Sequence, residues 1–289
     1  MTRKFLTLAL LIHLSFSVTA QTAIEKVNGA VTAPVITQPL PFKVGESLIY
    51  EASFSKLIFS GTIGVIKLTV SRIDENSGPE DKATRLIEFK ADIASKGFFP
   101  SLFGIKVRDQ FVTEVRARDF ALRTSFQLID EGKNKREQKA TFNPETGRVI
   151  YTEKNLLNKT AQPKVKEADS PAWVLDVLSA IYYLRAVKLE QGQTIPVPLS
   201  EGANVYNVEA MVLGREDIKV DAGKFRAVKL DVKAFDGRYT RRKGEMQMWI
   251  TDDERRLPVR AKIKSSGATV TIDLKRLPGI EQKPAAKKS

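Results

Sequence analysis

The chain has 289 residues, 42% of them hydrophobic, which is enough for a large core, and 47 Lys and Arg against 34 Asp and Glu give a formal charge of +13. It has no cysteine, and its single histidine is His13. Beyond the first twenty residues this excludes disulfides, Ser-His-Asp and Cys-His catalysis, zinc held by His or Cys, and His-ligated haem, leaving an enzyme only carboxylate, Lys or Tyr chemistry or an all-oxygen metal site.

Residues 1–20 read as a secretory signal. Arg3 and Lys4 form the charged start, Phe5 to Phe16 the apolar run, and Val18-Thr19-Ala20 before Gln21 the small-x-small cleavage pattern. The apolar run is shorter than the ~20 residues that span a bilayer, and no later run exceeds it, so the processed protein is expected to be soluble or peripheral. The expected location is periplasmic or secreted. With no cysteine after the cleavage point, a lipoprotein is not expected. Removing Arg3 and Lys4 from +13 leaves +11, which favours anionic partners such as phospholipid head groups or acidic envelope glycans. Nucleic acid is not expected as a partner outside the cytoplasm.

Residues 21–41, with Pro34, Pro39 and Pro41, read as an extended N-terminal arm. Period-two alternation then begins and marks half-buried antiparallel strands. Leu48, Tyr50, Ala52 and Phe54 share one face; Ile66, Leu68 and Val70 alternate with Lys67, Thr69 and Ser71; Ile87, Phe89, Ala91 and Ile93 follow after the Asn76-Ser77-Gly78-Pro79 break. Gly97 to Gly104, GFFPSLFG, reads as an apolar loop that either folds over a core or forms a lip at a ligand mouth. Strands resume over 107–116 and 121–129, the second with Leu122, Phe126 and Leu128 facing one way, and 135–142 pairs with 148–153 across a five-residue hairpin loop ending in Gly147. Residues 154–168 read as a polar linker.

One segment breaks the alternation. Asp169 to Leu189 has helical spacing, with Asp169 or Ser170 as N-cap and Pro171 at the first helical position, so a helix is expected over about 170–188, roughly 27 Å long. Trp173, Val174, Val177, Leu178, Ile181 and Leu184 cover one wide face, Leu175 and Tyr182 extend it, and only Asp176, Ser179 and Tyr183 form a polar stripe. A helix this apolar is expected inside the protein, with a curved sheet around it. Further strands follow at 194–199, 205–213, 216–220, 225–235, 245–251, 258–264 and 268–274, and residues 277–289 read as a basic flexible tail. The expected fold is mainly β, an α+β arrangement in which a curved antiparallel sheet or partly open barrel wraps one long central helix, as a single domain over 42–276.

Several motifs in order resemble an exported family known as domain of unknown function 3108. They are Val44-Gly45-Glu46, Asp176-x-Leu178-Ser179 running on to Tyr182-Tyr183-Leu184-Arg185, Gly223-Lys224-Phe225, Trp249-Ile250-Thr251-Asp252-Asp253 with Leu257-Pro258-Val259, and Gly267. The likeness covers roughly 42–276. It implies a curved sheet closing partly around a helix, similar to the half-barrel periplasmic carriers of lipoproteins, which hold acyl chains in an apolar concavity. It implies no settled activity.

Candidate functional residues fall into three groups. Arg185, Tyr182, Trp173, Phe99 and Phe103 are the candidates for ligand binding, with Arg185 placed either as a hydrogen-bond anchor at the helix end or as the receptor of an anionic group. Arg238, Arg241, Arg242 and Lys243 form the densest basic cluster and read as a solvated face or as a patch for an anionic membrane surface. Asp176 and Ser179 are candidate structural anchors. No catalytic residue, metal site or cofactor motif emerges: Asp252, Asp253 and Glu254 are ordinary turn acids, and no phosphate loop, nucleophile elbow or dinucleotide fingerprint is present. The sequence therefore points to a non-enzymatic binder or carrier of an apolar or amphipathic envelope ligand. The alternatives are a structural or assembly factor of the envelope and, behind both, a carboxylate-based glycan hydrolase. Neither the ligand nor the oligomeric state is legible.

Overall fold

A computed structural model describes residues 33–37, 39–74, 85–98, 104, 106–158, 160–234 and 244–277. The expected signal segment, the basic cluster at 238–243, Phe99, Phe103 and nearly all of the basic tail lie outside them. The alternating segments form fourteen antiparallel strands of one sheet. They are β1 (Ser47–Lys56), β2 (Phe59–Ile73), β3 (Leu86–Ser95), β4 (Arg108–Arg116), β5 (Leu122–Glu131), β6 (Asn134–Asn143), β7 (Arg148–Asn155), β8 (Lys164–Asp169), β9 (Thr194–Glu201), β10 (Asn204–Val220), β11 (Gly223–Val232), β12 (Gly244–Thr251), β13 (Pro258–Ser265) and β14 (Ala268–Arg276). One helix, α1 (Val177–Ala186), lies between β8 and β9.

The strand order is β8-β7-β6-β5-β4-β3-β2-β1-β14-β13-β12-β11-β10-β9. The chain thus starts in the middle of the sheet, meanders outward to β8, crosses inside to β9, and meanders back until β14 pairs with β1. Local turns account for nearly every neighbour, as expected where sequential strands pair. The sheet is curved but unclosed, its free edges being β8 and β9. Register shifts at Ala52/Ser53, Glu114/Val115, Val212/Gly214 and Trp249/Ile250 each add a local bend.

The antiparallel register sorts the turns onto two rims. The lower rim carries the start of β1 and the turns at 117–121, 144–147, 221–222 and 252–257; the upper rim carries the turns at 57–58, 132–133, 202–203 and 266–267, the end of β3 and the start of β4.

The helix is shorter than its spacing predicts: ten residues, about 15 Å, not eighteen. Asp176, not Asp169 or Ser170, is its N-cap. The Asp176 carboxylate accepts the Ser179 N–H at 2.8 Å, and the Ser179 hydroxyl accepts the Asp176 N–H at 2.9 Å. This reciprocal box starts the helix at Val177. The residues before it are claimed by the sheet. Leu175 bridges Leu199 in parallel: its N–H donates to the Pro198 carbonyl at 2.8 Å and its carbonyl accepts the Ser200 N–H at 2.7 Å. The Val174 carbonyl accepts the Leu122 N–H at 2.9 Å. After a bend at Ala172-Trp173, Val174 and Leu175 therefore run between β5 and β9, and α1 turns back down inside the sheet. Periodicity cannot distinguish this, because an apolar extended segment buried on all sides satisfies a helical template as readily as a helix does.

Three strand expectations also change. The supposed linker contains β8, whose alternation of charges with only Val165 and Ala168 as apolar residues suits an exposed edge. The two strands expected over 205–220 are one, β10, continuous through a bulge at Gly214. In β5 the buried side chains are Leu122, Ser125 and Ile129, so Phe126 and Leu128 do not share the buried set with Leu122; the register shift beside Leu122 separates them.

Candidate functional site

The inside of the sheet has two parts, divided by α1. Below the helix the interior is filled with aromatic rings. Tyr182 stacks on Phe89 with ring centroids 4.0 Å apart and planes within 6° of parallel, and Phe42 meets both edge-on at 5.1 and 5.7 Å. Phe120, held at a positive φ of 59°, and Tyr183 extend the cluster to Trp173, whose indole N–H donates to the Asp119 carbonyl at 2.8 Å. Offset and edge-on pairs of this kind add packing energy beyond their buried area.

Arg185 completes this floor. It is 1% exposed, and its guanidinium is held at 2.6 and 2.9 Å by both carboxylate oxygens of Glu46, a two-pronged pair. The remaining donors reach the carbonyls of Pro41, Arg255 and Arg256 at 3.0–3.2 Å. The guanidinium also lies over the rings of Phe42 and Tyr182 at 5.1 and 5.3 Å. One arginine thus ties the helix to the segment before β1 and to the turn before β13. Arg256, itself at a positive φ of 48°, closes the helix C-terminus by donating to the Val187 carbonyl at 2.6 Å.

Above the helix the interior is not filled. A cavity of about 170 Å³ lies between the helix face presented by Val177, Leu178 and Ile181 and the concave side of the sheet. Its walls are almost wholly apolar: Ile66 and Leu68 on β2, Phe111 on β4, Met246 and Met248 on β12, Ile263 on β13 and Ile272 on β14. The wall residues near the helix, such as Leu68 and Met248, are buried, whereas Met246, Ile263 and Ile272 nearer the upper rim are half-buried, so the cavity is accessible from that rim. The volume resembles the ~150 Å³ engineered cavity that stays dry and takes up benzene.

The polar groups at its margin are few. The Thr113 hydroxyl donates to Asp176 at 2.5 Å, so the capping carboxylate at the cavity wall is already satisfied. Arg260 is paired with Asp273 at 2.5 and 2.6 Å. The Tyr206 hydroxyl is pushed up to about 12 by burial and by the Glu201 carboxylate, and so stays protonated at neutral pH.

The described ligand-binding candidates from the sequence all lie on the floor side of the helix. Trp173, Tyr182 and Arg185 lie in the filled floor and do not line the cavity; Phe99 and Phe103 lie outside the described residues, as do Arg238, Arg241, Arg242 and Lys243. Asp176 and Ser179 form the cap that positions the helix. The cavity-lining set is made of the inward halves of ordinary alternating strands. Its signal in the sequence is the alternation itself, which does not say where a concave face is left uncovered. The acidic turn Asp252-Asp253 is engaged in structure: Asp253 accepts from the Thr251 hydroxyl at 2.6 Å and from Arg255, and Asp252 pairs with Arg215 at 2.7 Å. Among the described residues no group of three or more acidic side chains is placed to hold a metal ion, and no helix is long and apolar enough to cross a membrane.

The upper rim has one unusual feature. The turn between β1 and β2 is Leu57-Ile58, bounded by the Lys56 and Phe59 pair. Leu57 is 92% exposed, Ile58 90% and Phe59 57%. Phe98, three residues past the end of β3, is 70% exposed. The adjacent Gly97 (φ 104°) sits where a Cβ would come within 2.2 Å of the Thr62 carbonyl oxygen, which fixes this segment against the start of β2.

Comparison with known proteins places this geometry in a family. Solved structures similar to the chain include a β-barrel-like protein of domain of unknown function 1849 from Brucella abortus, at 11% identity, covering 83% of this chain and 98% of that one with a TM-score of 0.49. Another is a candidate exported protein of YmcC-like fold from Bacteroides fragilis, at 9% identity, covering 82% and 97% with a TM-score of 0.37. Neither reaches a TM-score of 0.5, and neither carries an inference about ligand or activity. No curated protein matches the chain. The family model described as protein of unknown function DUF3108 matches residues 49–275, from β1 to the end of β14, and the chain belongs to that family.

Proposed function

We propose that the protein is exported to the cell envelope and binds or carries an apolar or amphipathic ligand of the lipid class, without catalysis, in the cavity above α1. The observation that supports this reading is the contrast between the two halves of the interior. The same sheet and helix pack an aromatic floor tightly on one side and leave an apolar, rim-accessible cavity on the other. An apolar concavity left open beside a tightly packed floor is surface that water covers at a cost and that an apolar ligand would cover with a gain. Pockets for small molecules are concave and mostly apolar, with a few polar groups at the edge. Of the charged groups at the wall, Asp176 is capped and Arg260 is paired, and Glu201 stands near Tyr206 at the upper end. Asp176 is committed to the helix cap and to Thr113, so it is not available to act with Glu201 as the carboxylate pair of a glycan hydrolase.

The test is a titration with a fluorescent fatty acid in the absence of vesicles. Saturable binding that Ala261→Phe, which fills the cavity from β13, weakens about tenfold or more would support the reading; that factor corresponds to ~1.4 kcal/mol. Binding unaffected by Ala261→Phe, or no binding, would overturn it and favour an assembly factor with a self-filled interior.

A further inference from the structure

We infer that the upper rim is a membrane-docking surface: the β1–β2 tip, Leu57-Ile58-Phe59, with Phe98 beside it, enters the interfacial zone of an anionic bilayer while Lys56, Lys96 and Lys106 face the head groups. This inference goes beyond the cavity reading and holds whatever the cavity contains.

Two independent observations carry it. The first is solvation. Three consecutive large apolar side chains stand exposed at a hairpin tip, a run that a water-facing surface does not keep without a use. The second is backbone conformation. Leu57 occupies the left-handed region at φ 54° in a two-residue turn. Such turns favour Asn-Gly or a leading Gly, which supply a positive φ without strain. Leucine here is unfavourable both to the turn and to water. Backbone outliers of this kind concentrate at functional sites.

Charge identifies the occupant. The tip is preceded by Lys56, and the neighbouring connection from Lys96 to Val107 carries Lys96 and Lys106 and no acidic residue. All three lysines are exposed, and Lys96 makes only a loose 3.7 Å approach to Glu51. Apolar side chains at a tip flanked by Lys56, Lys96 and Lys106, against the acid Glu131 that bridges Val107, match the layered chemistry of an anionic membrane surface, apolar below and negative above. A protein groove would have to supply the same layering. The net positive charge, +11 once Arg3 and Lys4 of the expected leader are removed from +13, favours the same surface. The cavity is accessible from this same rim, so docking would bring its mouth to the lipid.

The absence of cysteine makes the experiment direct, because a single introduced thiol carries the only label. Flotation is measured with vesicles of phosphatidylethanolamine containing a minority of phosphatidylglycerol, and with neutral phosphatidylcholine vesicles. The protein is expected to float with the former, less with the latter, and less at high salt, each lysine contributing roughly fivefold. Ile58→Asp is expected to cut partitioning about tenfold or more while leaving the melting temperature unchanged, because the side chain is exposed. An environment-sensitive dye on Ile58→Cys is expected to shift to the blue on vesicle binding, and the same dye on Glu190→Cys, beyond the lower rim, is not. The proposal is overturned if the protein does not float, if Ile58→Asp floats as well as the original, or if the dye at position 58 does not respond to the vesicles. Because the fatty-acid titration uses no vesicles, failure here leaves the cavity reading standing, and failure there leaves this one.

Discussion

Arg185 illustrates how far single residues can be read. Its place near the helix end was legible, and so was the choice between structural anchor and anion receptor. Its partner was not: Glu46 stands 139 positions earlier, and no local spacing connects them. The pair is buried, so removing one member leaves an unpaired charge in the floor. Arg185→Met should destabilise the protein by about 3–5 kcal/mol, and adding Glu46→Met should recover much of the loss; both are measurable by urea unfolding. A loss below about 1 kcal/mol for the single substitution would show that the pair is not sealed from water.

Asp109 is a second case. It is buried on β4, and burial raises its carboxyl from the ordinary 3.8 to about 6, with the Asp130 and Glu131 carboxylates also raising it against the opposing pull of the Asp130 N–H and Arg136. Between these values the unfolded chain has released its proton and the folded one has not. This contribution therefore favours folding at low pH and is lost as pH rises through 6. Asp109→Asn, which stays neutral, should match the original protein near pH 4 and exceed it above pH 6 by about 1–2 kcal/mol once solvent screening is allowed for. Denaturation at the two pH values checks the sign.

At the scale of elements, the sequence reading succeeds where a residue pattern has one structural solution and fails where it has two. The strands of β1 to β4 follow from alternation, because each has a solvent face and a core face. The segment 173–186 has no solvent face over most of its length, so a helix and a buried extended strand fit it equally. The deciding evidence was nevertheless present as the Asp176-x-x-Ser179 box, a start signal that the apolar run on either side obscured. β8 was missed for the opposite reason: an exposed edge strand needs no apolar alternation. The revised helix is still central. Trp173, which precedes it, is buried against Tyr183 and bonded to the Asp119 carbonyl. Trp173→Ala should cost roughly 3–5 kcal/mol in urea unfolding, and a loss under 1 kcal/mol would detach this segment from the floor.

The whole molecule is a single sheet wound from its middle, with its two edges joined by the crossing that contains α1. The general architecture was legible, because alternation on both sides of one helical segment leaves few other arrangements. The cavity was not, since whether a concave face is filled depends on how far a helix reaches, and the expected eighteen-residue helix would have filled more of it than ten residues do. The ten-residue helix leaves the volume above Val177, Leu178 and Ile181 unfilled. Of the sequence-derived candidates, those on the helix seal the floor, and the lining falls instead to residues such as Leu68, Met248 and Ile272, which lie on expected strands and carry no site signal of their own.

The most direct test of this account is native mass spectrometry of the protein purified without detergent from the cell envelope of its own host. The account predicts a reproducible added mass in the range of a lipid or an acyl-bearing compound, released on denaturation and diminished in Ala261→Phe. A clean mass of the chain alone, in the original protein and in Ala261→Phe alike, would contradict it.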